Sequence, residues 1–254
     1  MSIPNSADFD QWYQVITDSH RWDPFVCRWL DLPPRVQSTG YLSGAGLTEV
    51  LERLELSPGD TLVEVGCGRA GYGLAAIEGA GARLIGVDFA SQALRAAEAR
   101  AEQRGLGKRT RFQRGDLTHT GLPGGQADAV LCVDSIHFAR EVSAAAAECA
   151  RLLRPGCPLV ITTWEAASPE AAELLPDRIG RMDIGRDLLG AGFEDIEVLH
   201  RPHWSETEVS FWRAAAALDP GTDPAMAALR DEATEFLPLA TALKRLLVVA
   251  RKPG

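Results

Sequence analysis

Val63-Glu64-Val65-Gly66-Cys67-Gly68-Arg69-Ala70-Gly71-Tyr72-Gly73, followed by Leu84-Ile85-Gly86-Val87-Asp88, decides how this chain folds. The first apolar run reads as a buried strand, the glycines as a tight turn, the residues after them as a helix, and Leu84 to Val87 as a second strand ending in a carboxylate. Glycine at 66 and 68 lets the backbone turn sharply and approach a ligand that a side chain would hold away. Asp88 comes about 20 residues after the first glycine, where an acid can accept hydrogen bonds from ribose hydroxyls. This is the layout of a nucleoside-cofactor site. The spacing Gly66-x-Gly68-x-x-Gly71 also satisfies the dinucleotide fingerprint, so on this motif alone a nicotinamide enzyme stays open.

Outward from that stretch, apolar β-branched runs alternate with Ala-rich helical segments, the pattern of a parallel sheet with crossover helices. Strands are predicted near 61–65, 83–87, 110–113, 128–133 and 158–163, with later strands at 194–200 and 244–250. Leu94, Ala97 and Ala101 share one helix face closed by Gly105; Val142, Cys149 and Leu153 share another, closed near Pro155-Gly156. A helix at 183–189 ends at Gly192. Helical spacing recurs at Phe9, Trp12, Tyr13 and Ile16, at Val209 and Trp212, and at Met226, Leu229, Ala233 and Phe236. The chain therefore divides into an N-terminal helical lid (1–57), a cofactor-binding core (58–200), a helical insertion (201–243) and a final core strand (244–254).

Composition narrows the functions. The 254 residues, 46% of them apolar, suit one large α/β domain. A formal charge of −9 argues against nucleic acid, because phosphate contacts need clustered Lys and Arg. The basic cluster Arg100, Arg104, Lys108, Arg109, Arg111 and Arg114 reads as a solvated helix end. The five cysteines lack the short spacings of zinc ligands or a redox dithiol, so no metal site is predicted and a reduced compartment is. With no leader-like start and no spanning apolar run, a soluble cytoplasmic protein is expected. Oligomeric state is not encoded.

Phe112-Gln113-Arg114-Gly115-Asp116-Leu117 adds what the glycines lack: a third strand ending in Gly-Asp, which places a second carboxylate on the sheet edge of Asp88. Ligands of open α/β sheets bind outside the carboxyl ends of the strands, so successive strand ends converge on one nucleoside. Here the chain resembles the class I S-adenosylmethionine-dependent methyltransferases. The resemblance rests on Glu64-Val65-Gly66-Cys67-Gly68, Val87-Asp88-Phe89, Gly115-Asp116-Leu117, Ala127-Asp128-Ala129-Val130-Leu131 and Leu153-Arg154-Pro155-Gly156, in that order. It implies a Rossmann-like, seven-stranded, mostly parallel sheet with an antiparallel last strand, and S-adenosylmethionine as cofactor. It further implies that Glu64, Gly66 and Gly68 line the methionine moiety, Asp88 the ribose, and Phe89, Asp116 and Leu117 the adenine, with the Val133 backbone facing the amine; Cys67, in the same loop, is counted with the cofactor-binding residues. Arg69-Ala70 departs from the commonest pattern, where a further glycine is frequent.

Methyl transfer is an in-line displacement, which needs mainly alignment in a site closed to water; a base is optional. For a hydroxyl acceptor, His137 in Asp134-Ser135-Ile136-His137-Phe138 is the leading base, since it follows the fourth strand at the rim where acceptor and methyl meet. Glu165, after Thr162-Thr163-Trp164, is the second candidate, and His20 a third if the N-terminal helices fold over the site. Trp12, Tyr13, Trp164 and Trp212 can form an apolar acceptor pocket. The expected activity is methylation of an oxygen, less readily nitrogen or carbon, of a small apolar metabolite, as in natural-product pathways. A non-methylating cyclase or isomerase on this fold, or an NAD-dependent oxidoreductase, is the alternative.

Overall fold

Side chains of a strand point alternately to the two faces of its sheet, and this chain uses both faces for core. In β1 (Thr61–Val65), Leu62 joins one apolar cluster while Val63 and Val65 join another on the opposite side. Leu131 and Leu247 repeat the first pattern further along the sheet, and Val130, Cys132, Leu246 and Val248 the second. A sheet buried on both faces needs helices on both, and the Ala-rich segments supply them.

The computed structural model describes residues 5–254. Around β1 the elements run α1 (Ser6–Asp18), α2 (Trp22–Trp29) and α3 (Gly44–Arg53) before it. After it come α4 (Gly71–Ala80), β2 (Arg83–Asp88), α5 (Ser91–Gln103), β3 (Thr110–Arg114), β4 (Ala129–Val133), α6 (Val142–Leu152) and β5 (Pro158–Ala166). The chain finishes with short α7 (Pro169–Ala172) and α8 (Asp177–Gly180), then α9 (Ile184–Gly190), β6 (Glu194–His200), α10 (Pro202–Ala216), α11 (Pro224–Phe236) and β7 (Leu243–Arg251). The seven-stranded sheet has the order β3-β2-β1-β4-β5-β7-β6. β7 lies antiparallel to both β5 and β6, and all other pairings are parallel. The reversal follows from the two-helix excursion α10–α11, which returns the chain to the end of the sheet where β5 finished. Each predicted strand is present. Helices α2 and α3 fall within the segment 1–57 expected to be helical, without bounds of their own, and α7 and α8 had no expectation.

The order makes β1 and β4 neighbours whose connections run to opposite sides, and a crevice opens between their carboxyl ends. The segments before and after the core close over it and are tied to each other. Ser19 Oγ donates to Asp223 at 2.6 Å, and Arg21 donates to the carbonyls of Pro220 and Asp219, both at 2.8 Å. Helix α1 also caps α5, which begins at Ala90 without a capping side chain: Asp10 Oδ1 accepts from the Gln92 amide at 2.7 Å. Among the described residues no helix is long and apolar enough to cross a membrane.

Candidate active site

A cleft of about 1200 Å³ opens over the carboxyl ends of β1, β2, β3 and β4, beneath α1 on one side and α10–α11 on the other. Its floor is the glycine turn. Gly66 and Gly68 have φ of 65° and 50°, a region that costs an L side chain free energy. Ala70, where the sequence departs from the frequent glycine, takes φ 56° without that freedom and opens α4. A Cβ at Gly66 would stand 2.5 Å from Ser135 Oγ and 2.7 Å from Ser135 Cβ. Gly66→Ala is therefore expected to lower stability by about 1–3 kcal/mol and to spoil the cleft floor, seen as a lower denaturation midpoint together with lost cofactor binding. A midpoint and affinity equal to wild type would contradict this.

Asp88 does two jobs at the end of β2. Its Oδ2 accepts from the Gly68 amide at 2.8 Å and its Oδ1 from the Ala90 amide at 2.9 Å, so the carboxylate holds the glycine turn closed while lining the cleft. Burial pushes its carboxyl up to about 6 against the pull of these amides. Asp116 behaves differently. It is exposed, and although partial burial opposes ionisation, hydrogen bonds from the Thr118 hydroxyl and the Thr118 and His119 amides hold its carboxyl below the ordinary range. All three go to Oδ1, leaving Oδ2 as a free acceptor beside Leu117 and Gly115 in the cleft.

Of the nine residues proposed to meet the cofactor, Gly66, Asp88, Phe89, Asp116, Leu117 and Val133 line the cleft, and Glu64, Cys67 and Gly68 do not. Glu64 points to the opposite face of β1 from Val63 and Val65, beneath α4. There burial pushes its carboxyl up to about 8 against the pull of the nearby Gly73 amide, and its Oε2 has no hydrogen-bond partner. It packs under the first turn of α4, and a Cβ on Gly73 would collide with its Oε2 at 2.3 Å. The Cys67 side chain packs down against Gly86, and burial pushes its thiol up. Gly68 is covered by Tyr13 of α1, whose hydroxyl would lie 2.6 Å from a Cβ there. Burial raises the Tyr13 phenol, so it stays protonated, its hydroxyl standing with that of Thr39 over Gly68. Tyr13, expected in the acceptor pocket, lines the cleft at the glycine turn, where it packs α1 onto Gly68.

His137 sits on a 3₁₀ turn (Ile136–Phe138) just past β4 and lines the cleft. It is 5% exposed, edge-on to Trp164 at 5.4 Å, and its Nδ1 has no hydrogen-bond partner. Burial, with the guanidiniums of Arg178 and Arg245, pulls the imidazole down to about 3. It is thus neutral at any physiological pH. The other two base candidates are not brought to the cleft. Glu165 Oε1 accepts from the Ile184 amide at 2.8 Å and Oε2 meets Lys244 Nζ at 3.1 Å, because alternation along β5 turns its side chain away from the face that carries Trp164. His20 lies exposed in the turn between α1 and α2.

The far end of the cleft is aromatic, walled by Tyr41, Trp164, Trp212 and Phe236, with Trp12 nearer the cofactor end. Its polar frame was not anticipated. Arg245 of β7, 1% exposed, meets Asp134 Oδ1 at 2.6 Å and Glu208 Oε2 at 3.5 Å, and its guanidinium lies 4.0 Å from the centroid of the Trp164 ring. Asp134, itself at φ 52°, also accepts from the Tyr41 amide and the Thr162 hydroxyl. Glu208 accepts from both the Trp164 and Trp212 indoles. This network fixes the orientation of the aromatic wall. The sequence did carry one signal for it: an arginine in the middle of the apolar run Leu243-Lys244-Arg245-Leu246-Leu247-Val248-Val249 has to find buried acids. Glu232 and Arg178 complete the lining.

Comparison with known proteins agrees with this geometry. The family described as methyltransferase domain matches residues 63–161, from β1 into β5. Nocamycin O-methyltransferase of Saccharothrix syringae is 30% identical over 59% of this chain and 65% of its own length. A probable tocopherol O-methyltransferase of Oryza sativa subsp. japonica is 27% identical over 61% of this chain and 47% of its own. The chain thus spans about half to two thirds of the length of these relatives. Among solved structures, the [4+2]-cyclase SpnF superposes with a TM-score of 0.75 at 22% identity, covering 100% of this chain and 98% of that one. Residues 63–161 thus match a methyltransferase domain, and the fold of the chain is that of the class I S-adenosylmethionine-dependent methyltransferases. The domain match decides between the two cofactors that the glycine spacing left open, in favour of S-adenosylmethionine.

Proposed function

We propose that the protein transfers the methyl group of S-adenosylmethionine to an oxygen of a small molecule. The observation that carries this reading is the single cleft in which Asp88 and Asp116 stand at adjacent strand ends and His137 faces the aromatic compartment beyond them. The residues suit the cofactor: an ionisable acceptor at Asp88 for the ribose, a free Asp116 oxygen for the adenine amine, a bare Gly66 for close approach, and Phe89 and Leu117 against the base. When bound, the cofactor supplies an electrophilic methyl on a cationic sulfur.

The chain's own residues do the rest. Val133 and Asp134 end β4 where acceptor and cofactor compartments join, and Tyr41, Trp164 and Trp212 exclude water and orient the acceptor. His137, neutral at rest, accepts a hydrogen bond from an acceptor hydroxyl and aligns its lone pair, and as the oxygen takes the methyl its proton passes through the imidazole to solvent. The oxygen assignment is supported by the nocamycin and tocopherol relatives, whose names specify O-methylation. A role in secondary metabolism accords with the nocamycin relative, and a cytoplasmic location with the absence of any spanning helix among the described residues.

Calorimetry tests the cofactor step: S-adenosylhomocysteine should bind with a Kd on the order of micromolar and NAD should not bind. Mass spectrometry tests the reaction, because a methylated product is heavier than its substrate by one CH2, whereas an unchanged mass would point to a cyclase or isomerase. His137→Ala is expected to lower kcat by about 10–100-fold and leave cofactor affinity within about twofold. Because burial holds the imidazole near 3, its contribution should add no inflection to the wild-type kcat profile between pH 5 and 8. An inflection near 6.5 that disappears in His137→Ala would show instead that it titrates as a base.

A further inference from the structure

Most charged side chains of the cleft are ion-paired or hydrogen-bonded, and Arg178 is not. Asp134 and Glu208 share Arg245, and Asp88 and Asp116 are engaged by backbone amides. Arg178, on α8, lines the acceptor compartment with no salt bridge and no hydrogen bond among the described residues, and its Nε is buried without a partner. Its guanidinium lies 5.4 Å from the centroid of Phe138, beside His137, and burial pulls its basicity down. The acid facing it is Glu232, whose Oε1 is taken by the Tyr41 hydroxyl at 3.0 Å and whose carboxyl burial pushes up to about 7. Arg140, exposed at the rim, is a second guanidinium without an ion pair among the described residues.

A half-buried guanidinium left without a partner carries a desolvation cost that a ligand anion can recover. We propose that Arg178 is the recognition residue for an anionic oxygen, a carboxylate or ionised enol, on the acceptor. This rests on the methyltransferase reading for the word acceptor, but the binding site itself does not. Arg140 at the rim attracts the same charge on entry. A cationic acceptor is disfavoured twice, by Arg178 and by the sulfonium of the cofactor. An acceptor that arrives ionised also suits a site whose imidazole is a poor base.

The test is a calorimetric titration of the protein, alone and loaded with S-adenosylhomocysteine, with octanoate, 1-octanol and octylamine at neutral pH. Octanoate should bind wild type at least about tenfold more tightly than either other probe, as one charge-assisted contact gives. Arg178→Met should bring octanoate to the level of 1-octanol and leave 1-octanol and S-adenosylhomocysteine unchanged, while Arg178→Lys should retain part of the preference. No detectable octanoate binding in wild type, no preference over 1-octanol, or a preference that survives Arg178→Met would overturn the proposal. The methyltransferase reading fails separately, if S-adenosylhomocysteine does not bind. The octanoate comparison on unloaded protein still decides the role of Arg178 in that event.

Discussion

Asp88→Ala is expected to weaken S-adenosylhomocysteine binding by about a hundredfold or more, measured by calorimetry. Two losses combine. The ribose loses its acceptor, and the amides of Gly68 and Ala90, now held at 2.8 and 2.9 Å, are left without one. Each buried orphan donor costs about 1–3 kcal/mol, and the glycine turn can avoid that cost only by opening. Asp88→Asn should recover little, because an amide side chain presents an NH2 to one of two N–H donors. Affinity should also fall as pH drops through about 6, the value to which burial pushes this carboxyl, since the bound form needs it ionised. Full affinity in Asp88→Ala would mean that the nucleoside is held elsewhere.

Arg245→Met carries the largest expected loss of stability, about 3–5 kcal/mol, because it strips the counter-charge from Asp134 and Glu208 inside the core. For a chain of this size that is a fall in Tm on the order of 10 °C. The pair can be isolated: Asp134→Asn together with Arg245→Met should be less destabilised than the separate effects add to, by about 1–3 kcal/mol in a double-mutant cycle of denaturation midpoints. Additive effects would show that the two side chains do not support each other. The consequence reaches the acceptor compartment, because Asp134 holds the Tyr41 amide and Glu208 holds both indoles. Weaker acceptor binding should accompany the fall in Tm.

The half of the cleft proposed to hold the cofactor is legible in the sequence because it is built from backbone. A strand end followed by a glycine turn, a second strand ending in Asp88 and a third ending in Gly115-Asp116 are local features, and the right-handed crossover rule brings consecutive strand ends to one edge. Where a predicted residue does not line the cleft, a side-chain direction is at issue. Glu64 is in the motif yet faces α4, and Glu165 is next to Trp164 yet faces Lys244; in both cases period-two alternation turns neighbouring residues to opposite sides. His20 required the α1–α2 turn to bend inward, and it lies exposed instead.

Local pattern determined the strands, their parallel run, the nucleoside edge and the position of His137 at the rim, because apolar periodicity and turn chemistry act over a few residues. Only the tertiary structure decided the acceptor compartment. Tyr41, Trp164, Arg178, Glu208, Glu232 and Arg245 come from segments up to about 200 residues apart, and a buried charge is specified by which opposite charge packing brings to it, which no local pattern encodes.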